Sequence, residues 1–375
     1  MTTEGVVAAI RDAKETRSPL RVCGRGTWLD AGRPVQASNT LSLREDSGVT
    51  SYVPGDLTLT VRAGTTLSDI ERATAEHDQW LPLDPFGTGD GTIGATVSTG
   101  SAGPLAANFG LPRDLVLGLE FVTGRGDVIR SGGKVVKNVA GFDLTRLVTG
   151  SWGTLGVITE VTLRLYARPK VDRTFVIRLP RDAKQATSLL RAFLAAPLNP
   201  IAFELLSPSA SRALGLGSAA VLLIRFGANE AAVDAQSLTS ARLARADEIG
   251  GDVWDRLRSL ESEAESVIRV SGLPAQFRDV SATILSDDIP DMLTYINPIR
   301  GSLRLVIRKS SDGTSADEAS SGFDPQGQPD EHLVFEKLPP EVWADIPSSV
   351  SDSLSRGIRK AYDPNNILNP GILGD

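Results

Sequence analysis

Hydrophobic and polar residues alternate in two segments of the first half of the chain. Residues 57–62 (LTLTVR) and 157–165 (VITEVTLRL) place apolar side chains at nearly every second position, which is the period of a strand with one buried face. Residues 67–74 instead space their apolar side chains three or four positions apart, and Thr66 followed by Asp69 is typical of a capped helix start. The pattern predicts two half-buried strands, the first of them followed by a helix.

Shorter patterns predict further elements in the same half. Residues 5–16 predict a helix and residues 20–22 a strand. Residues 114–133 predict a hairpin whose turn is 124–127, because two glycines interrupt two apolar runs. Residues 85–104 are so rich in glycine that they are predicted to form a loop.

The pattern changes after Pro169, where spaced strands and amphipathic helices replace the glycine-rich loops. The predicted elements are strands 174–179, 201–206 and 219–226, helices 183–196 and 229–244, and, within 267–309, two strands around a helix near 288–296. This order predicts an antiparallel sheet with helices on one face. Residues 310–331 are acidic and rich in glycine and serine, which predicts a mobile loop, and a helix is predicted near 348–361.

Four stretches, three of them rich in glycine and one with two lysines, are candidates for ligand contact. They are 23–28 (CGRGTW), 91–104 (GTIGATVSTGSAGP), 134–143 (KVVKNVAGFD) and 150–156 (GSWGTLG). Glycine lets a backbone approach a ligand, and successive free N–H groups make a concavity that binds anions. Taken singly, 23–28 favours a plain turn, 134–143 favours a solvated basic turn over contact of Lys134 and Lys137 with phosphate, and 91–104 is equally open to ligand binding and to a structural loop. None is a G-x-G-x-x-G that opens a helix, so a Rossmann dinucleotide site is not indicated.

Composition excludes several classes of function. The chain has 39 Lys and Arg residues against 46 Asp and Glu residues, a net charge of −7, which argues against a nucleic-acid-binding surface. Cys23 is the single cysteine and His77 and His332 are the two histidines. A disulfide framework, a cysteine-based metal site or a histidine-based metal centre is therefore not expected. The sequence shows no long apolar run and no secretory signal, so we expect a soluble, cytoplasmic chain.

Taken together, the glycine-rich stretches resemble the FAD-binding domain of the vanillyl-alcohol oxidase/para-cresol methylhydroxylase superfamily, and within it the FAD-binding E subunits of bacterial glycolate oxidase. Residues 20–168 match with high specificity, 170–309 match only in their order of elements, and 310–347 hardly match. The segments that carry the resemblance are VPGDLTLTVRAGTTLSDIE, QWLPLDP, GTIGATVSTGSAGP, GLPRDLVLGLEFV, VIRSGGKVVKNVAGFDLTRLVTGSWGTLGVITEVTLRL and AYDPNNILNPGIL.

The resemblance implies an α+β fold, with a PCMH-type two-part FAD-binding domain and an inserted cap domain made of an antiparallel sheet with helices. The implied domains are 1–168 for FAD binding, 169–347 for the cap, with 310–331 as its mobile loop, and 348–375 as a C-terminal segment that returns to the FAD domain.

The resemblance also implies residues that bind FAD. The backbone that would cradle the pyrophosphate comprises Gly24, Arg25, Gly26, Thr27 and Trp28. The ribityl and flavin side would be lined by Pro85, Thr92, Gly94, Ala95, Ser98, Thr99 and Gly103. The adenine-ribose portion would lie along Gly153, Gly156, Val157 and Ile158, the two glycines being small to admit it. Asn369 would return toward the isoalloxazine ring.

Two departures from the family pattern affect these expectations. Gly100 stands where the usual pattern has an asparagine, which removes a side-chain contact and lowers the expected FAD affinity. Arg25 stands where a histidine would form the covalent flavin link of some relatives, and Cys23 precedes the loop. The resemblance therefore implies non-covalent FAD.

The function implied is that of an FAD-binding subunit of a glycolate (2-hydroxy acid) oxidase or dehydrogenase complex. It would oxidise glycolate to glyoxylate with a sister flavoprotein subunit and pass electrons to an iron–sulfur subunit, and these partners could hold it at a membrane surface. Two alternatives remain open. One is a stand-alone FAD-dependent oxidoreductase whose base is a Tyr, a Glu or an Arg-paired acid in the cap, for instance at Glu204 or Arg304, and the other is a structural subunit without FAD. No catalytic residue is assigned. Two roles remain open for four arginines of the cap: they bind the carboxylate of a substrate, or they lie at exposed or partner-contacting positions. These arginines are Arg225, Arg269, Arg304 and Arg308.

Overall fold

A computed structural model describes residues 1–133, 143–280, 282–285, 291–308 and 332–374 of the chain. The predicted basic turn at 134–143, except Asp143, and the predicted loop at 310–331 lie outside these residues. The chain divides into two compact units. The first, called the cleft unit below, comprises Met1–Gly103, Phe109–Arg168 and Pro340–Asp375, and the second, called the sheet unit, comprises Pro104–Asn108 and Pro169–Pro339. The domain limits inferred from the resemblance stay a prediction.

Seventeen strands occur in the described residues. They are β1 (Leu20–Cys23), β2 (Asn39–Ser42), β3 (Val49–Val53), β4 (Thr58–Arg62), β5 (Gln79–Trp80), β6 (Val116–Val122), β7 (Val128–Gly132), β8 (Val157–Arg164), β9 (Tyr166–Ala167), β10 (Val171–Arg178), β11 (Ala202–Leu206), β12 (Val221–Ala228), β13 (Asp247–Ile249), β14 (Ala264–Ser271), β15 (Met292–Asn297), β16 (Ser302–Arg308) and β17 (His332–Lys337).

Twelve α-helices occur in the same residues. They are α1 (Thr3–Thr16), α2 (Leu67–Ala75), α3 (Ile93–Thr99), α4 (Ala106–Phe109), α5 (Pro112–Leu115), α6 (Leu144–Val148), α7 (Ala183–Ala195), α8 (Pro208–Ala213), α9 (Glu230–Leu243), α10 (Val253–Ser259), α11 (Ala282–Leu285) and α12 (Ser353–Tyr362). Within the described part of the chain, none of these helices is long and apolar enough to cross a membrane.

The cleft unit contains a five-stranded antiparallel sheet in the order β3-β4-β8-β6-β7. The predicted hairpin is confirmed, because β6 and β7 pair antiparallel with Val122 opposite Val128. The prediction that 57–62 is half-buried is wrong, since Thr58 and Thr60 are buried as well. The hydroxyl of Thr60 shares a hydrogen bond of 3.1 Å with that of Thr162 on the neighbouring β8.

Part of the glycine-rich segment 85–104 forms a helix instead of the predicted loop. Thr92 caps α3, its hydroxyl accepting a hydrogen bond from the Ala95 N–H at 3.4 Å. Gly100 ends the helix in the left-handed conformation with φ of 67°, a role that glycine fills at helix C-termini. The helix forms despite its poor intrinsic propensity because Ile93 and Val97 are fully buried.

The sheet unit contains an eight-stranded antiparallel sheet in the order β13-β10-β12-β11-β15-β16-β14-β17. The helix predicted near 288–296 is wrong, because Met292–Asn297 forms β15 between β11 and β16. Successive residues Leu293, Thr294, Tyr295 and Ile296 are all buried. A strand buried on both faces lacks the alternation that identifies an amphipathic strand, which explains the error.

Candidate functional site

A cleft in the cleft unit brings together most of the predicted FAD-binding residues. It encloses about 870 Å³ of space, counted with its open mouth. The predicted residues on its lining are Gly24, Arg25, Gly26, Thr27, Trp28, Thr92, Gly94, Ala95, Ser98, Thr99, Gly153, Gly156, Ile158 and Asn369. Within the described part of the unit, Pro85, Gly103 and Val157 lie off the lining. Val157 is a buried core residue of β8, and Gly103 lies so close to the Asp84 carbonyl that a Cβ would overlap it.

The first wall of the cleft is the loop that follows β1. Gly26 has a φ of 78°, which glycine adopts without a steric penalty. Gly24 approaches the Thr92 hydroxyl so closely that any side chain would overlap it. The Arg21 guanidinium donates to the Leu29 carbonyl and so holds the far end of the loop. Arg25 is exposed.

The second wall is α3. The Gly94 N–H donates to the Ala63 carbonyl at 2.9 Å, and a Cβ on Gly94 would lie 2.7 Å from the Ala63 Cβ. Because Gly94 has no side chain, the first turn of α3 packs directly against the turn after β4. The hydroxyl of Thr99 donates to the Ala95 carbonyl at 2.9 Å, within the turn of α3 that lines the cleft.

The third wall is the segment 150–156. The Trp152 N–H donates to the Ser98 carbonyl at 2.8 Å, which fastens this segment to the end of α3. Trp152 and Gly153 both have left-handed backbones, with φ of 55° and 70°. The indole of Trp152 stacks on that of Trp28, with ring centroids 5.9 Å apart. Trp152 lines the cleft and was missed from the sequence, although it lies in one of the glycine-rich stretches.

The C-terminal segment completes the lining. The Asn369 Oδ1 accepts a hydrogen bond from the Val22 N–H at 2.7 Å, and its Nδ2 donates to the Trp152 carbonyl at 2.8 Å. Ile372 also lines the cleft. Sequence reasoning missed Ile372, which carries no signal beyond its position three residues after Asn369.

Two of the cleft glycines are required by contacts within the protein itself. A Cβ on Gly156 would lie 2.6 Å from Phe121 Cδ2 and 3.0 Å from the Val122 carbonyl, both in β6. A Cβ on Gly153 would lie 2.8 Å from Asn369 Nδ2. These positions must be small because other parts of the chain approach them, whatever ligand the cleft holds.

The charges around the cleft suit an anionic ligand. Arg21 and Arg25 are the only Lys, Arg, Asp or Glu residues among the described residues that line it. Backbone N–H groups of the 24–28 loop, together with the hydroxyls of Thr27 and Ser98, add polar groups without negative charge. The residues present therefore fit a dinucleotide with a central pyrophosphate.

The sheet unit holds a buried cluster of charged side chains. Arg304 donates from Nε and Nη2 to the two Glu261 carboxylate oxygens at 2.6 and 2.8 Å, and from Nη2 to Glu336 Oε2 at 2.5 Å. Arg269 Nε donates to Glu336 Oε1 at 2.7 Å. The Tyr295 hydroxyl donates to Glu261. We call these five residues the charged cluster.

Burial and charge shift the pKa values of the cluster in opposite directions. Burial raises the pKa of Glu261 despite the neighbouring Arg304 charge. Burial also acts to raise the pKa of Glu336, but the charges of Arg304 and Arg269 outweigh it and hold this pKa at about 2. Burial, followed by the Glu261 charge, places the pKa of Tyr295 well above its ordinary value.

Other predicted residues of the sheet unit also have partners within the unit. Arg225 binds Asp172 bidentately, with Nε 2.9 Å and Nη2 2.6 Å from the carboxylate oxygens. Glu204, the candidate base, is buried and accepts from Asn297 Nδ2 at 2.9 Å. Among the residues that the structure describes, no three His, Cys, Asp or Glu side chains are grouped so as to hold a metal ion.

Comparison with known proteins first defines the class. The crystal structure of p-cresol methylhydroxylase with substrate bound superposes with a TM-score of 0.73 at 16% identity, covering 100% of this chain and 87% of that one. A family model described as an FAD binding domain matches residues 1–132. The fold is therefore that of the PCMH-type flavoproteins, as the sequence predicted.

Sequence relatives then define the family. Glycolate oxidase subunit GlcE of Escherichia coli (strain K12) is 34% identical over 257 residues, which are 68% of each chain. Glycolate oxidase subunit GlcD of Bacillus subtilis (strain 168) is 28% identical over 413 residues, covering 99% of this chain and 87% of the relative. The chain belongs to this family of FAD-linked oxidoreductases, and its cofactor is FAD.

Proposed function

We propose that this chain is the FAD-binding subunit of a 2-hydroxy-acid oxidase or dehydrogenase complex that oxidises glycolate to glyoxylate. A sister flavoprotein subunit takes part in this oxidation, and an iron–sulfur subunit accepts the electrons. The observation that carries the proposal is the 34% identity to subunit GlcE over 68% of each chain. The similarity to a protein named subunit GlcD supports a pair of related flavoprotein subunits.

In this proposal the cleft holds FAD non-covalently, and the roles implied by the family resemblance apply to those residues that line it. The backbone N–H groups of residues 24–28 bind the pyrophosphate, and the exposed Arg25 guanidinium lies at the same loop. The Trp28 and Trp152 indoles offer apolar surface at the cleft. Bound FAD supplies a two-electron acceptor. The FAD-binding domain is taken as 1–168 with 348–375, and the cap as 169–347.

The charged cluster supports placing substrate oxidation on the sister subunit. Oxidation of a 2-hydroxy acid needs a base and a cation that binds the substrate carboxylate. In the described part of the sheet unit, Arg304 is already bound by two glutamates and Arg225 by Asp172. Arg304 is buried and its Nε and Nη2 protons are all donated to these glutamates, so it has no bidentate face left for a substrate.

The visible flavin absorption of the purified chain tests the proposal. We expect a yellow protein that glycolate and D-lactate leave unchanged until a GlcD-type flavoprotein and an iron–sulfur subunit are added. Bleaching of the isolated chain by either acid would show a stand-alone oxidoreductase. A colourless chain that still assembles with its partners would show a structural subunit.

A matched pair of glycine variants sharpens this test. Gly153 and Gly215 have nearly equal φ values of 70° and 71°, but only Gly153 lies on the cleft, and a Cβ on Gly215 meets nothing within 4 Å. We expect Gly153→Ala to lose FAD and Gly215→Ala to keep it. A reconstituted complex with colourless Gly153→Ala that oxidises glycolate at the full rate would exclude a role for this FAD in electron transfer.

A further inference from the structure

The side chain of Asn369 connects two walls of the cleft. Its Oδ1 accepts from the Val22 N–H at 2.7 Å and its Nδ2 donates to the Trp152 carbonyl at 2.8 Å. Val22 lies in β1 just before the 24–28 loop, and Trp152 directly precedes Gly153. One planar amide therefore fixes the distance between the first and third walls.

The backbone on either side of Asn369 is tied to the same strand. Leu368 lies opposite Leu20 in a parallel bridge. The Leu20 N–H donates to the Ile367 carbonyl at 2.8 Å, and the Asn369 N–H donates to the Leu20 carbonyl at 3.0 Å. These bonds hold the Asn369 amide in register with β1.

The turn before Asn369 is ordered by a buried carboxylate. Asp363 Oδ2 accepts from the Leu368 N–H at 2.8 Å. Gly124, at the turn of the β6–β7 hairpin, approaches Asp363 so closely that a Cβ would overlap its carboxylate. The C-terminal segment 363–369 is thus anchored to the core sheet at its start and to β1 at its end.

We propose that Asn369 is a positioning residue that sets the gap between the 24–28 loop and Gly153, and thereby the affinity of the cleft for FAD, without acting as a flavin ligand through its amide. The inference rests on the proposed placement of FAD in this cleft, but on no assumption about substrate or partners. Both polar atoms of the amide have partners in the protein. Asparagine is suited to the position because it has a donor and an acceptor and tolerates the left-handed φ of 47°.

Glycine at position 369 tests the proposal without adding backbone strain, since glycine accepts a positive φ. The matched control is Asn366→Gly. Asn366 has a φ of 49°, lies in the same segment, and is exposed and off the cleft lining, and its Oδ1 accepts a hydrogen bond from Arg359 Nη2 at 2.5 Å, which joins no two walls of the cleft. We expect Asn369→Gly to bind FAD about ten- to a hundredfold more weakly by fluorescence titration, because two hydrogen bonds between the walls are lost, and Asn366→Gly to bind as the unchanged chain does.

The spacing between the 24–28 loop and Gly153 can also be followed by spectroscopy of the apoprotein, before any FAD is added. The stacked indoles of Trp28 and Trp152 belong to the two walls that Asn369 connects, so their coupled signal in near-ultraviolet circular dichroism reports the wall spacing. We expect Asn369→Gly, but not Asn366→Gly, to reduce this signal in the apoprotein. Trp28→Phe assigns the signal to the pair.

Several outcomes would overturn the proposal. Asn369→Gly with unchanged FAD affinity, or Asn366→Gly with an equal loss, would show that Asn369 has no specific role. If Asn369→Gly does not fold, Asn369→Asp takes its place: it keeps the acceptor for Val22, sets an oxygen against the Trp152 carbonyl, and must also weaken FAD binding. A chain that binds FAD as expected but never couples to glycolate oxidation would refute the proposed function and leave this inference standing.

Discussion

The cleft unit and the sheet unit satisfy their buried polar groups in different ways. In the cleft unit, segments approach one another at glycines such as Gly94 and Gly156, and backbone N–H and carbonyl groups bond across the approach. In the sheet unit, the charged side chains of Arg304, Glu261 and Glu336 neutralise one another inside the protein. The cleft unit is stabilised by many hydrogen bonds that each contribute little free energy, and its packing leaves a cleft. In the sheet unit, a large cost of burying charge and a large attraction between opposite charges fall on a few residues.

This difference bears on how residue types predict function. Glycines in the cleft unit suggest ligand contact, yet their missing side chains make room for the protein itself. Arginines in the sheet unit suggest a carboxylate ligand, yet their carboxylates come from the same chain. The cleft remains a site because its residues line an opening, whereas every member of the charged cluster except Arg269 is buried.

The largest expected effect is on the charged cluster. Arg304→Ala leaves Glu261 and Glu336 buried without their shared cation, and we expect a loss of about 3–5 kcal/mol in the free energy of unfolding, measured by urea denaturation. The control is Arg191→Ala, whose pair with Asp279 is more than half exposed, with an expected loss of about 0–1 kcal/mol. Equal losses in the two variants would remove the contrast between the units.

A smaller effect is expected from overfilling the cleft unit. Gly156→Ala places a Cβ 2.6 Å from Phe121 Cδ2, and we expect a loss of about 1–3 kcal/mol in the free energy of unfolding. Gly91→Ala is the control, because its Cβ would meet its nearest neighbour, the Thr88 carbonyl, at 3.6 Å. Gly156→Ala with unchanged stability and reduced FAD content would show that the ligand, rather than β6, requires this glycine.

Loss of a single helix cap is expected to cost less. The Thr66 hydroxyl accepts from the Asp69 N–H at 3.0 Å at the start of α2. We expect Thr66→Ala to lower the free energy of unfolding by about 1 kcal/mol and to leave FAD content unchanged, since Thr66 is off the cleft lining. Thr66→Ser, which keeps the acceptor, is the control. A loss as large as that of Arg304→Ala would contradict the view that the cleft unit relies on many small terms.

A pH dependence of opposite sign is also expected in the two units. Burial raises the folded-state pKa of Asp363 in the cleft unit, so its contribution to stability is fully present below the unfolded value of 3.8 and is lost as the pH rises through the folded pKa. The folded pKa of Glu336 is about 2, so its contribution is present above 4.5 and is lost as the pH falls toward 2.

Melting temperatures of Asp363→Asn test this sign. We expect the variant to gain stability relative to the unchanged chain at pH 7 and the difference to vanish at low pH, where Asp363 is protonated. Glu336→Gln should show the reverse, with a loss at pH 7 that shrinks in acid. The same sign for both variants would contradict the assignment.

The sequence predicted most of the elements because periodicity reports burial on one face. The helix α7, predicted as 183–196, forms at Ala183–Ala195, and the cap at Thr66 is present. The failures have two causes: β15, predicted as a helix, is buried on both faces, and α3, predicted as a loop, is dominated by glycine and threonine. Tertiary packing determines the secondary structure of both segments, and no local sequence pattern encodes that packing.

For the site, the sequence indicated the glycine-rich segments and, through the resemblance, the cofactor. It could not indicate what each glycine faces, since Gly156 meets β6 and Gly153 meets Asn369 only after folding. Trp152 was missed because an aromatic residue among glycines has no distinctive spacing. The pairing of Arg304 with Glu261 and Glu336 links residues far apart in sequence, which single-sequence reasoning does not detect.

The segment that carries Asn369 has a consequence for biosynthesis. Residues 363–369 leave the ribosome after the whole of the sheet unit, although they pack on β1, which emerges near the start of synthesis. Folding generally proceeds from the N-terminus as the chain emerges. β1 therefore lacks its partner segment 367–369 until more than three hundred further residues have been translated, and the link that Asn369 makes between Val22 and Trp152 is among the last contacts a nascent chain can form.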